Sequence, residues 1–243
     1  MIHRVRWLAL ALACVGFAAA VAFADTAPGK GTAPSTVITP PAAPPASPAP
    51  DTTVVDSIKG AHKVFPRPSP DLPKKLREGG YVIVFRHSTT DWSQRDADVT
   101  NFDDRTTQRN LSAEGEATAK AIGQSIAALK LPIGRVIASP MWRCRDTAQL
   151  AFGRHEVSND LFQRGGQSRA VRVDLLSTPT QKGKNLVLVT HQDVLIPIVA
   201  GLARDQLKEA EALIVKPLGD KKFEIVAQVG PEDWARLAGK PAH

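Results

Sequence analysis

Arginine and histidine stand together at Arg86-His87, directly after the apolar run Tyr81-Val82-Ile83-Val84-Phe85. A guanidinium can hold a phosphate through its planar fork, and an imidazole can attack one. Taken singly, Arg86 reads as a strand-end arginine in an ion pair and His87 as a satisfied core histidine. Two later segments supply the matching parts. Ser139-Pro140-Met141-Trp142-Arg143-Cys144-Arg145-Asp146-Thr147-Ala148 carries a second guanidinium at Arg143, and Leu186-Val187-Leu188-Val189-Thr190-His191 ends on a second imidazole. Phosphoryl transfer is catalysed mostly by positioning and charge stabilisation, so it needs such forks around a nucleophile. In that chemistry His87 attacks phosphorus in line as a neutral imidazole. Arg86 and Arg143 disfavour the imidazolium, a backbone carbonyl on the other ring nitrogen fixes the tautomer, and His191 donates to a phosphoryl oxygen.

The elements that must position these groups alternate between strand and helix. A short helix over Leu72–Glu78 ends at Gly79-Gly80, and Tyr81 to Phe85 reads as a strand buried on both faces. Asp91 to Gln108 is polar and aperiodic, a surface loop. Ser112 caps a helix in which Ala119, Ile122, Ile126 and Leu129 fall at helical spacing. Arg135–Ala138 is a strand, Trp142–Phe152 a helix, Leu186–Thr190 a strand, and Val194–Leu202 a helix that Pro197 can kink. Ala212–Lys216 and Phe223–Val229 flank Leu218-Gly219-Asp220-Lys221 as a hairpin, and Pro231–Leu237 is a closing helix. This order predicts an α/β fold, a three-layer αβα sandwich with a mainly parallel central sheet. Arg86-His87, Ser139 and His191 all lie beyond the carboxyl ends of strands, where such sheets bind ligands.

The N-terminus has a different character. Arg4 and Arg6 precede an almost wholly apolar stretch, Trp7 to Ala24, and Ala22-Phe23-Ala24 forms a small-x-small cleavage signal. Residues 1–24 therefore read as a secretory signal peptide, which predicts export to the periplasm or beyond. An uncleaved membrane anchor is the alternative, and Cys14 lacks the context of a lipoprotein site. Residues 25–71, rich in Pro, Ala and Thr, read as a largely disordered linker, and 72–243 as the catalytic domain.

Composition narrows the function classes. The formal charge is +7, of which Arg4 and Arg6 supply two. Scattered basic residues, few aromatics and no nucleic-acid motif argue against nucleic acid as a partner. Of the two cysteines, Cys14 and Cys144, only the second outlasts cleavage, so no internal disulfide is expected. Cys144 lies between two arginines but has no glycine-rich loop after it, so it reads as a packed residue rather than a nucleophile. No metal or other cofactor is implied. Arg145 faces a different helical direction from Arg143, and Trp92 and Trp142 read equally as mouth or packing residues. His3, His62, His155 and His243 have no partners at ligand spacing.

Together these motifs resemble the histidine phosphatase superfamily, the phosphoglycerate-mutase-like proteins. Its R-H-G-x-T-x-W-N motif stands here as Arg86-His87-Ser88-Thr89-Thr90-Asp91-Trp92-Ser93. The leucine-x-x-x-glycine helix entry is Leu111-Ser112-Ala113-Glu114-Gly115, and S-P-x-x-R-x-x-x-T-A runs from Ser139 to Ala148. The resemblance covers roughly Gly79 to Gly230. It implies that His87 is the phosphorylated nucleophile, that Arg86, Arg143 and His191 complete the phosphate pocket, and that Thr90 and Ser93 contribute to substrate binding. Ser88 replaces a glycine, which could narrow the pocket, and Ser93 replaces an asparagine. The family's general acid would align near Gln163, which cannot donate a proton usefully. Asp160 is on the wrong side of the turn, and Asp91, Asp103 or Asp104 could reach in from the first loop.

The expectation is an exported, metal-independent phosphomonoesterase acting through a phosphohistidine on a phosphorylated small molecule or phosphoprotein, with the oligomeric state open. The alternatives are an anion-binding module that has lost turnover and a phosphomutase. The short segment between Phe152 and Asn185 argues against the mutase.

Overall fold

The computed structural model describes residues 63–163 and 166–241. The expected signal peptide and the linker up to residue 62 lie outside the described residues. The described residues all fall in the second of the chain's two units, Val54–His243. Packing begins before Leu72: Phe65 is buried, and the Gln228 amide donates to the Pro66 carbonyl at 2.8 Å.

The strands are β1 (Val82–Arg86), β2 (Ile133–Ala138), β3 (Glu156–Val157), β4 (Asn185–Thr190), β5 (Ala212–Gly219) and β6 (Lys222–Val229). They form one sheet in the order β3-β2-β4-β1-β5-β6. The β3-β2-β4-β1 part is parallel, and β5 and β6 are joined to it antiparallel as a hairpin. The hairpin turn uses positive φ at Asp220 and Lys221, the geometry that matches strand twist.

The helices are α1 (Leu72–Glu78), α2 (Ala113–Ala128), α3 (Trp142–Phe152), α4 (Gly166–Ser177), α5 (Gln192–Leu195) and α6 (Pro231–Leu237). Alternation along β1 divides the core. Ile83 and Phe85 pack with Ile122, Ile126, Ala148 and Trp234 on the face carrying α2, α3 and α6. Val82 and Val84 pack with Leu176, Leu195 and Leu202 on the other. Burying each such aliphatic side chain contributes roughly 1.5–3 kcal/mol, so the strand that ends in Arg86-His87 is anchored on both faces. The three-layer architecture is the one expected from the sequence.

Two expectations need correction. The helix expected at Val194–Leu202 is only Gln192–Leu195, followed by turns. It starts directly after His191 and stops before Pro197, which has no amide to continue it, while Ile196 itself keeps helical dihedrals. The segment between Phe152 and Asn185, for which the sequence suggested no helix or strand, contains β3 and the twelve-residue α4. The buried face of α4 carries Ser168, Arg172 and Leu176. An arginine at the centre of that stripe breaks the apolar period that would otherwise announce a helix.

Candidate active site

Strands β2, β4 and β1 lie side by side, so their carboxyl ends share one rim. Arg86 is in register with Thr190, and the His87 amide donates to the Thr190 carbonyl at 3.0 Å. On the other side of β4, the Ser139 amide donates to Val189 at 2.9 Å. The His87 and His191 rings meet edge to face, with centroids 5.4 Å apart.

His87 is 3% exposed, and its Nδ1 lies 2.9 Å from the Ser88 carbonyl. A carbonyl only accepts, so Nδ1 donates and the neutral ring keeps its lone pair on Nε2. Burial pushes the proton affinity of His87 well below the ordinary 6.5, and Arg143, Arg86 and Arg109 push the same way against the opposing pull of Ser88. His191 is also lowered, first by burial, then by Arg143, His87, Arg86 and Arg109. Its Nε2 lies 2.8 Å from the Ser139 hydroxyl and 3.5 Å from Cys144 Sγ. With the hydroxyl donating to Nε2, His191 carries its proton on Nδ1.

The two arginines are held differently. Arg86 Nη1 donates to the Leu207 carbonyl at 2.8 Å and to Gln192 at 3.3 Å, and Nη2 lies 3.5 Å from Glu209. Arg143 is 6% exposed and donates through Nη1 to Asp96 Oδ1 at 2.9 Å and to the Arg109 carbonyl at 3.4 Å. Its Nε is buried without a partner. The edge of the fork that binds an oxyanion in bidentate fashion is thus left uncommitted to the protein.

Four site residues were not identified from the sequence: Arg109, Glu209, Gln192 and Asp96. The Arg109 guanidinium lies 3.8 Å from the Trp92 ring, its buried Nε has no partner, and its charge acts on both histidines. The signal was its place where the first loop returns, two residues before the Leu111 that bridges to Thr90. Glu209 binds the Thr90 amide at 3.1 Å and the Thr90 hydroxyl at 3.0 Å. The Thr90 side chain, expected to meet substrate, is therefore tied to Glu209 beside Arg86.

Other expected groups lie elsewhere. Ser93 is exposed and donates to Asp91 Oδ1 at 2.7 Å within a local turn, so nothing joins it to the histidines. Ser88 does not narrow the pocket: it is fully buried, and its hydroxyl donates to the Gly115 carbonyl at 2.7 Å. Asp91 is occupied by Ser93 and Gln94, and Asp104 caps Thr106. Asp160 accepts from Ser168, and Gln163 is exposed. Trp142 is a packing residue, stacked between Arg105 at 4.2 Å and Arg145 at 3.8 Å. With the Arg105–Asp146 ion pair at 2.7 Å, it fastens the first loop onto α3. No metal-ligand cluster occurs among the described residues.

The register of a mixed, mostly parallel sheet thus brings two buried histidines to one rim, with the Arg86 and Arg143 guanidinium groups beside them. Residues 82–164 match the family model of the histidine phosphatase superfamily (branch 1), the family that the motifs resemble. His191 lies beyond that segment and is brought to the site by strand register. Solved structures of similar fold include the protein histidine phosphatase SixA complexed with tungstate, with 16% identity, 62% of this chain and 97% of that one covered, and a TM-score of 0.47. Another is the open reading frame Rv3214 from Mycobacterium tuberculosis, with 19% identity, coverage of 60% and 95%, and a TM-score of 0.44. A third is phosphoserine phosphatase in complex with 3-phosphoglyceric acid from Entamoeba histolytica, with 15% identity, coverage of 59% and 96%, and a TM-score of 0.40. No curated protein sequence matches the chain significantly.

Proposed function

We propose that the protein is an exported phosphatase that hydrolyses phosphomonoesters through a phosphohistidine on His87, without a metal. The observation that carries this reading is the pairing of a free His87 Nε2 with the uncommitted edge of Arg143. Arg143 and Arg86 hold the non-bridging oxygens, and His87 Nε2 attacks phosphorus as the ester oxygen departs. His191 donates from Nδ1 to a non-bridging oxygen where negative charge gathers. Water then attacks the phosphohistidine, the P–N bond breaks, and inorganic phosphate leaves. Export rests on the basic and apolar residues of 1–24.

The test is hydrolysis of 4-nitrophenyl phosphate by the purified full chain in the presence of chelator. Turnover is expected, with an acid-labile phosphoryl label trapped on the wild type and absent from His87→Ala. The expected loss in that variant is at least about a thousandfold, in the range of a missing participant in the chemical step. Unchanged turnover in His87→Ala overturns the mechanism. Phosphate binding without hydrolysis of any ester identifies an anion-binding module instead.

A further inference from the structure

The alignment position of the family's acid is filled by exposed Gln163, and the site as described so far has no proton donor for the leaving group. Two carboxylates stand against the phosphate-binding arginines, Glu209 beside Arg86 and Asp96 beside Arg143. Their hydrogen bonding separates them. Glu209 commits both oxygens to Thr90, Oε1 to the hydroxyl and Oε2 to the amide. Asp96 receives both of its bonds on Oδ1, from Arg143 Nη1 at 2.9 Å and from the Arg109 amide at 2.9 Å. Its Oδ2 has no partner among the described residues.

Exposure rises along this set, from His87 at 3% through the Arg143 side chain at 7% to the Asp96 side chain at 27%, so the open side of the pocket lies toward Asp96. In-line attack from His87 sends the leaving oxygen toward that open side, past Arg143. Asp96 is held on the same guanidinium that receives the equatorial oxygens, with one oxygen anchored and the other bare.

We propose that Asp96 is the missing general acid, delivering a proton from Oδ2 to the departing ester oxygen. The inference rests on the phosphatase reading above. In the first step the His87 Nε2–P bond forms, the P–O bond to the alcohol breaks, and the Asp96 proton goes to the alcohol oxygen. In the second, water adds to phosphorus and gives its proton back to Asp96. The P–N bond then breaks and its electrons return to His87. No oxidant or further reactant is required. Glu209 is a positioning residue that sets Thr90 and, through it, the Arg86 end of the pocket.

The experiment is kcat/KM for a series of aryl phosphates from 4-nitrophenyl to phenyl phosphate, which reports steps only up to departure of the alcohol. Asp96→Asn retains an anchored side-chain oxygen, and thermal unfolding checks that it folds. Its expected loss is about a hundredfold for phenyl phosphate and a few-fold for the nitrophenyl ester, since a good leaving group needs little protonation. Asp96→Glu restores part of the loss on the poor leaving group, and Glu209→Gln loses rate evenly across the series. An even loss in Asp96→Asn, with weakened inhibition by inorganic phosphate, shows that Asp96 only holds Arg143 and overturns the proposal, as does no loss at all. Activity that survives His87→Ala, or none in the wild type, shows instead that the phosphatase reading itself has failed, and the proposal falls with it.

Discussion

His87 and His191 leave adjacent parallel strands one step past the Arg86–Thr190 pair, and their rings meet edge to face with centroids 5.4 Å apart. Burial and the neighbouring arginines disfavour protonation of either imidazole, and His87 adds to this at His191. A protonated ring would sit without water among guanidinium groups.

That relationship sets a pH dependence. Both histidines have proton affinities well below the ordinary 6.5 in the folded protein. The unfolded chain therefore binds protons below about 6.5 that the folded chain refuses, and stability is lost as pH falls from there toward the folded values. Above that range these two groups contribute no slope. For catalysis the same shift keeps His87 nucleophilic in acid. The acid limb of kcat/KM is expected below pH 6.5, with the unfolding midpoint falling over the same interval. An acid limb above 6.5 contradicts the neutral-pair arrangement.

The parts of this site legible in the sequence are those set by local pattern. Tyr81–Phe85 and Leu186–Thr190 announce themselves as buried strands, and a side chain placed just past such a strand has one available rim. Ser112, three residues before Gly115, marks the start of α2 through its cap bond to the Gly115 amide at 3.0 Å. What was not legible depends on the first loop's path through space. Asp96, Arg109 and Glu209 have no periodicity, and the loop that presents the first two is positioned by Arg105, Trp142 and Asp146 from a different part of the chain. Arg172 hid α4 for the related reason that its Nη1 donates to carbonyls of the turn at Asp160 and Gln163, which no one-dimensional pattern records.

Ser88 and Gly115 form a second contact with a measurable consequence. A Cβ on Gly115 would lie 1.9 Å from the Thr89 carbonyl oxygen, so the N-terminus of α2 touches the backbone that follows His87. Ser88 adds a hydroxyl bond to the Gly115 carbonyl across this contact. Ser88→Ala is expected to cost about 1 kcal/mol of stability with little change in KM, because the hydroxyl faces the core. Gly115→Ala is expected to cost more than about 2 kcal/mol, since backbone must move, and to lower kcat by displacing His87. Denaturant unfolding and steady-state kinetics on the two variants separate these effects.

Arg109 is a cation near the pocket with no ion-pair partner among the described residues. Burial lowers its proton affinity, Arg143 and Arg86 add to that, and Asp96 and Glu209 oppose it. Stacking on Trp92 leaves its hydrogen-bonding edges free. An incoming phosphate would relieve the repulsion among the three guanidinium groups, and a charge-assisted hydrogen bond contributes roughly 1.5–3 kcal/mol. Arg109→Ala is therefore expected to raise KM and the inhibition constant of inorganic phosphate by about ten- to a hundredfold. Removing this charge also removes one cause of the lowered histidine affinities, so the acid limb of kcat/KM should move toward higher pH. Unchanged phosphate inhibition would show that Arg109 serves only to pack Trp92.

Cys144 offers a control on the identity of the nucleophile, because it too lies next to Arg143. Its Sγ is 3.5 Å from His191 Nε2, and its neighbour Arg143 favours the thiolate. Burial outweighs this and pushes the thiol up to about 12. At pH 8 almost no thiolate is present, and the fully buried sulfur is shielded from reagents. Iodoacetamide at pH 8 is expected to leave the folded protein unmodified and its turnover intact, while the denatured chain is alkylated readily, as mass spectrometry would show. Rapid alkylation of the folded protein with parallel loss of turnover would place a reactive thiolate in the pocket and remove the case for His87 as the group that receives the phosphoryl.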